Sequence, residues 1–158
     1  MIELLYLASQ IQCGAGGDFL NIQVDVYHQQ QLVKTMDVND RALIPVNSIK
    51  DLELKYKIIN NTTQCKNLST PTEMTLTSNS ELPSMAGFSK QVSVKTLLSD
   101  LNDYEELLLV ELGTTNTSSS AFDMQDVIFK VDNNPTPPTP PTPPTPPTPP
   151  TPVTLYAD

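Results

Sequence analysis

Few residues in this chain could do chemistry, and spacing limits what each can do. His28 is the only histidine and tryptophan is absent. A nucleophile–histidine–acid arrangement would have to use His28, and no Gly-x-Ser-x-Gly elbow precedes a strand-to-helix turn. His28 sits beside Gln29, Gln30 and Gln31. With no second imidazole, thiolate or carboxylate at ligand spacing, it reads as a surface residue and not as a metal ligand. Asp100, Asp103, Glu105 and Glu106 crowd one stretch. Oxygen-rich turns can hold calcium, but the spacing of an EF-hand, with its central glycine and distal glutamate, is absent. This stretch reads as a solvated acidic loop. Glycoside hydrolysis would need two acids in a cleft lined by aromatic rings, and a chain with 6% aromatic residues supplies few.

Two further motifs have a bland and a chemical reading. Cys13-Gly14-Ala15-Gly16-Gly17-Asp18 is glycine-rich. A phosphate-cradling loop would need Lys-Ser/Thr after the glycines and a helix behind them; here Asp18 and a strand pattern follow, so a turn or bulge is expected. Cys13 and Cys65 are the only cysteines and form a possible disulfide. Closing a loop of that size contributes ~4 kcal/mol in the chain-entropy account; the alternative is two reduced thiols in a reducing cytosol. Asn60, Asn61, Asn67 and Asn116 lie in Asn-x-Ser/Thr triplets, read as turn chemistry. The expectation is a protein that is not an enzyme, with no catalytic residue, no cofactor-binding residue and no metal site.

Charge narrows the partners. Eighteen acids against nine bases give a net charge of -9, which argues against nucleic acid as a partner, since phosphate binding needs clustered Lys and Arg. The longest apolar runs are short, such as Leu107 to Val110, far below the ~20 residues of a membrane-spanning helix, so no membrane partner is expected. Met1 to Tyr6 lacks the basic region of a secretory signal and reads as strand.

The elements that would position any site are strands. Ile2 to Ile11 starts with an alternating pattern. Leu20 to His28 alternates cleanly, with Leu20, Ile22, Val24 and Val26 on one face and Asn21, Gln23, Asp25 and Tyr27 on the other. That pattern suits an antiparallel sheet with one wet face. Gln29 to Gln31 turns it into Leu32 to Met36. Ala42 to Val46 contains Pro45 and is an edge segment at most. Leu52 to Ile58 alternates again. Glu73 to Thr77, Gln91 to Lys95, Glu105 to Leu112 and Met124 to Val131 are read as four more strands. Thr96 to Leu101 is expected to make one or two helical turns, and Gly113 to Ser120 to be the loop of the last hairpin. About eight strands with regular turn signals predict an all-β fold, an antiparallel, jelly-roll-like β-sandwich.

After this body, residues 1–134, comes a Thr-Pro-Pro run over residues 135–152. Proline fixes φ and lacks an N–H, so the run can join neither helix nor sheet interior. A polyproline II stalk is expected, reaching roughly 56 Å at ~3.1 Å per residue. A stub, residues 153–158, follows. Its Val153-Thr154-Leu155-Tyr156-Ala157-Asp158 resembles, over six residues, the opening strand of βγ-crystallin-like Greek-key repeats, which implies the first strand of a further β-domain. Two other readings stand beside it: a strand that adds to a neighbour's open sheet edge, and a frayed tail.

The composition describes deployment better than chemistry. A Thr/Pro stalk is typical of exposed surfaces, while the chain shows no export signal. A structural or display protein reconciles the two: a bacteriophage virion component, such as a head decoration or cement protein or a fibre base. It would be found at the virion surface, attached through its sandwich to a larger protein lattice such as a capsid, with its C-terminus projected on the rod. The expected assembly is a symmetric homo-oligomer. The competing expectation is a secreted adhesin or carbohydrate-binding module, extracellular or at the cell surface, with a Thr/Pro linker.

Overall fold

Alternation carries most of this fold. The computed structural model describes residues 1–12, 19–59, 68–81, 92–119, 124–135 and 142–149. Among these residues eight strands form: β1 (Ile2–Ala8), β2 (Ile22–His28), β3 (Gln31–Met36), β4 (Arg41–Ile44), β5 (Leu52–Ile58), β6 (Thr72–Thr77), β7 (Glu105–Glu111) and β8 (Val127–Asp132). One helix, α1 (Val92–Ser99), lies between β6 and β7, and a short 3₁₀ turn, Ile49–Asp51, precedes β5. The strands make two antiparallel sheets, one of five in the order β4-β1-β8-β7-β6 and one of three in the order β3-β2-β5.

The two sheets share a core in a sandwich-like arrangement. Ile2, Leu4 and Tyr6 of β1, Leu108 and Val110 of β7, and Phe129 and Val131 of β8 pack in one cluster with Ile22, Val24 and Val26 of β2. Leu54, Tyr56 and Ile58 of β5 close on the same cluster. Tyr6 stacks on Phe129 with ring centroids 4.8 Å apart, and its hydroxyl donates to the Ile22 carbonyl at 2.7 Å. The residues expected to point inward on Leu20 to His28 are the buried ones.

Of the expected strand Gln91 to Lys95, the described residues 92–95 are helix and not strand. α1 starts at Val92, within the stretch whose valines suggested a strand. Val94 and Leu98 are spaced for one helical face and join Leu101 in a second cluster with Leu76, Leu107, Leu109, Met124 and Ile128. That cluster covers the outer face of β6, β7 and β8. Local β-preference at Val92 and Val94 is overridden by the apolar face of β7, which needs a cover.

Elsewhere the boundaries shift by a few residues. The segment read as an edge at most is the edge strand β4, ended by Pro45. The hairpin loop is Gln29-Gln30 alone, both at positive φ, 50° and 66°. Asn116 does turn work: its side-chain oxygen accepts from the Ser118 N–H at 3.1 Å. Residues 142–149 of the Thr-Pro-Pro run are exposed and carry no regular hydrogen-bonded structure. Cys13 and Cys65, the glycine loop, Asn60, Asn61, Asn67 and the stub 153–158 lie outside the described residues.

Candidate attachment cleft

Four strands of the body turn over at one end, and a cleft opens there. Ser9 follows β1, Ile22 begins β2, Asp37 follows β3 and Ile59 follows β5. These residues, with Phe19, Leu20, Asn21 and Val38, line a cavity of about 320 Å³. Leu20 and Ile22 form a buried floor, while Phe19, Val38 and Ile59 are 60%, 40% and 50% exposed. Three large apolar side chains in one small cleft differ from scattered surface apolars, which are ordinary.

The backbone holds each of the three in place. Phe19 pairs with Gln12 in an isolated antiparallel bridge, and the Leu20 N–H donates to the Ile11 carbonyl at 2.8 Å. Ile59 extends the β2–β5 ladder by donating to the Asn21 carbonyl at 3.0 Å. Val38 sits at the tip of a tight turn. There the Asp37 N–H donates to Asp40 Oδ2 at 2.8 Å and the Asp40 N–H donates to the Asp37 carbonyl at 3.0 Å. Asn39 takes φ 77°, a conformation asparagine tolerates. Its N–H donates to the Tyr6 carbonyl at 2.7 Å, and the Tyr6 N–H donates to the Asp40 carbonyl at 3.0 Å. Gln23 Nε2 ties Asp37 down at 3.1 Å. The apolar tips are therefore presented on a fixed frame, and a fixed frame loses little conformational entropy on binding.

Tyr6 anchors the underside. Burial pushes its phenol up to about 12; the Asp37 charge adds to the shift and a hydrogen bond with Ser9 opposes it. The phenol therefore stays protonated and can donate to Ile22. Beside the cleft, Asp126 closes the end of the large sheet: its Oδ2 accepts from the Leu112 N–H at 2.7 Å and from the Gly113 N–H at 3.0 Å. Glu111 Oε2 also accepts from Gly113, at 2.8 Å. Both carboxylates are buried and serve the backbone where β7 ends.

Charge is unevenly spread along the chain. Residues 19 to 59 hold five acids and five bases, so the whole net charge lies in the rest of the chain.

The residues singled out from sequence lie elsewhere. His28 is half-exposed at the far end of β2, paired with Gln31 and Leu52. In the acidic stretch, Asp100 and Asp103 are exposed. Glu105 Oε1 accepts from the Asn102 N–H at 3.0 Å while its Oε2 meets Lys130 Nζ at 3.1 Å. Among the described residues, no three His, Cys, Asp or Glu side chains come together in a way that could hold a metal ion. Sequence reasoning missed the cleft because Phe19, Val38 and Ile59 are far apart in the chain; the available signal was an apolar residue set among turn residues, as Val38 is between Asp37 and Asn39. It also missed Asp126 and Glu111, since nothing in their spacing marks them as loop clamps. No protein-family model, no curated protein and no solved structure matches this chain.

Proposed function

We propose that this protein is a non-enzymatic attachment and display module, a component of a bacteriophage virion surface. The body, residues 1–134, is a jelly-roll-like sandwich that docks through its apolar cleft to a protein lattice such as a capsid. Residues 135–152 form a rigid linker that carries residues 153–158 away from that lattice. The observation that carries this reading is a polarity of the body. The cleft lies where β1 ends, while Asp132, the last residue of β8, pairs with Glu3 at the opposite end of β1. The Thr-Pro-Pro run thus starts from the end remote from the cleft. A body bound by its cleft would point its C-terminus outward. Proline chemistry keeps such a run extended, and the exposed residues 142–149 fit a spacer that packs on nothing. Among the described residues both sheets have open edges, and such edges favour closure into a symmetric homo-oligomer.

The test is incorporation. Particles released by cells that make the full-length chain are purified on a density gradient and probed for it. The chain should sediment with the particles and stay accessible to an antibody against residues 142–149. A variant carrying Val38→Asp and Ile59→Asp, both at exposed positions, should move to the soluble fraction. A chain absent from particles, or bound equally well with both substitutions, would overturn the reading. A free monomer that binds glycans would point to the adhesin or carbohydrate-binding module instead.

A further inference from the structure

Among the described residues, the smaller sheet leaves part of the larger one uncovered. β5 is the last strand of the three-stranded sheet and β6 the last of the five-stranded one. Among the described residues, each therefore offers one unpaired edge. Glu73 and Thr75 of β6 pair with Val110 and Leu108, whose side chains lie in the shared core, so they sit on the inner face. Two cavities follow the seam, one between β5 and residues 68–71 just before β6 and one between β5 and β6 itself. One, of about 550 Å³, is lined by Tyr56, Ile58, Leu68 and Leu112 among others. The other, of about 320 Å³, is lined by residues including Ile49, Leu52, Met74 and Leu108. Between them the Tyr56 hydroxyl donates to Glu73 Oε1 at 2.7 Å. Burial first, then the Glu73 charge, raises this phenol well above its ordinary range, so the bridge keeps its proton. The seam mixes apolar side chains such as Ile58, Leu68 and Leu108 with polar ones such as Lys57, Thr70 and Thr75, and the Tyr56–Glu73 bond crosses it.

We propose that this seam accepts one added strand, and that the strand is Val153–Asp158 of a second copy. The segment has the pattern an inserted strand needs: Val153, Leu155 and Ala157 alternate with Thr154, Tyr156 and Asp158. Main-chain hydrogen bonds to the open edge provide affinity, and alternate side chains enter the pockets. Its six residues equal the length of β6. The spacer decides whose seam is filled. A stiff run of residues 135–152 reaches roughly 56 Å, against ~24 Å for a seven-residue strand, and polyproline II has no means of reversing direction. The segment is carried past its own body and into reach of a neighbour. This assignment rests on the spacer reading of the Thr-Pro-Pro run and not on the cleft. It adds that the spacer links copies to one another.

The experiment uses the full chain. Equal amounts of ¹⁴N- and ¹⁵N-labelled protein, each with a photoreactive phenylalanine in place of Tyr156, are mixed, irradiated and mapped by mass spectrometry. Mixed-isotope cross-links from position 156 to residues 52–58 or 72–77 are expected. Sedimentation of the otherwise unmodified chain should show concentration-dependent association. Leu155→Asp should weaken that association by about tenfold or more, the worth of one buried leucine. Same-isotope cross-links alone, cross-links to other regions, or association unchanged by Leu155→Asp would overturn the proposal. Repeating the cross-linking with Val38→Asp separates the two readings, because strand addition should survive loss of the cleft.

Discussion

The two sheets of this protein solve the same problem differently. The five-stranded sheet is buried on both faces at β7: there its inner side joins the core shared with the small sheet and its outer side packs on α1. Its strand β7 shows this directly, with Leu107, Leu108, Leu109 and Val110 all buried. The three-stranded sheet keeps one wet face. On β5, Glu53, Lys55 and Lys57 lie out in solvent while Leu54, Tyr56 and Ile58 turn to the core. On that wet face Lys57 meets Asp25 at 3.0 Å and Lys55 lies 4.6 Å above the Tyr27 ring. These are exposed contacts worth little individually. The lesson is a division of labour. The large sheet holds the body together, and the small sheet, with its turns, presents surfaces.

This difference can be broken first at β7. Leu109 is fully buried against α1, so Leu109→Ala should cost about 2–5 kcal/mol in a denaturant melt. Lys55→Ala, on the other sheet's outer face, should stay within ~0.5 kcal/mol. Equal effects at the two sites would mean the faces are not so different.

A smaller effect is expected where the large sheet ends. Asp126→Ala removes the acceptor for the Leu112 and Gly113 N–H groups, and leaving a buried donor unsatisfied costs about 1–3 kcal/mol. Thermal unfolding should fall accordingly, while Asp126→Asn, which keeps an acceptor oxygen, should lose less. Equal losses would argue that charge, and not hydrogen bonding, holds this end.

The smallest effect concerns the tie between the sheets. The Tyr6 phenol is raised from 10.0 to about 12 in the folded protein. A group with a raised folded-state pKa contributes stability that is fully present below its unfolded pKa and is lost as pH rises through the folded value. The melting temperature should therefore be steady up to about pH 10 and decline toward pH 12, with Tyr56 adding to the decline. Tyr6→Phe starts from a lower stability, having lost the bond to Ile22, but should decline less steeply. Parallel curves would show that Tyr6 carries no part of the alkaline loss.

Much of this was legible in the chain, and the reason differs by element. β2 and β5 were readable because each has one wet face, and a half-buried strand writes its burial as alternation. The edge position of β4 could be read from Pro45, which cannot donate to a ladder. α1 was misread at its start. Two valines in alternation look like strand, and only the apolar outer face of β7 makes the helical spacing of Val94 and Leu98 useful. The cleft was invisible because its three exposed apolar residues meet only after β1, β2, β3 and β5 have turned over at one end.

By itself the sequence determined the strand periods, the excess of acids and the proline run that no sheet or helix can absorb. These are local properties: side-chain alternation, net charge and a fixed φ act on the chain before it folds. The tertiary structure decided which face of β7 needs a cover, which strands lie at the sheet edges, and which turns gather Phe19, Val38 and Ile59. Those depend on contacts between residues distant in the chain, and no local preference encodes a contact that forms only when two sheets pack together.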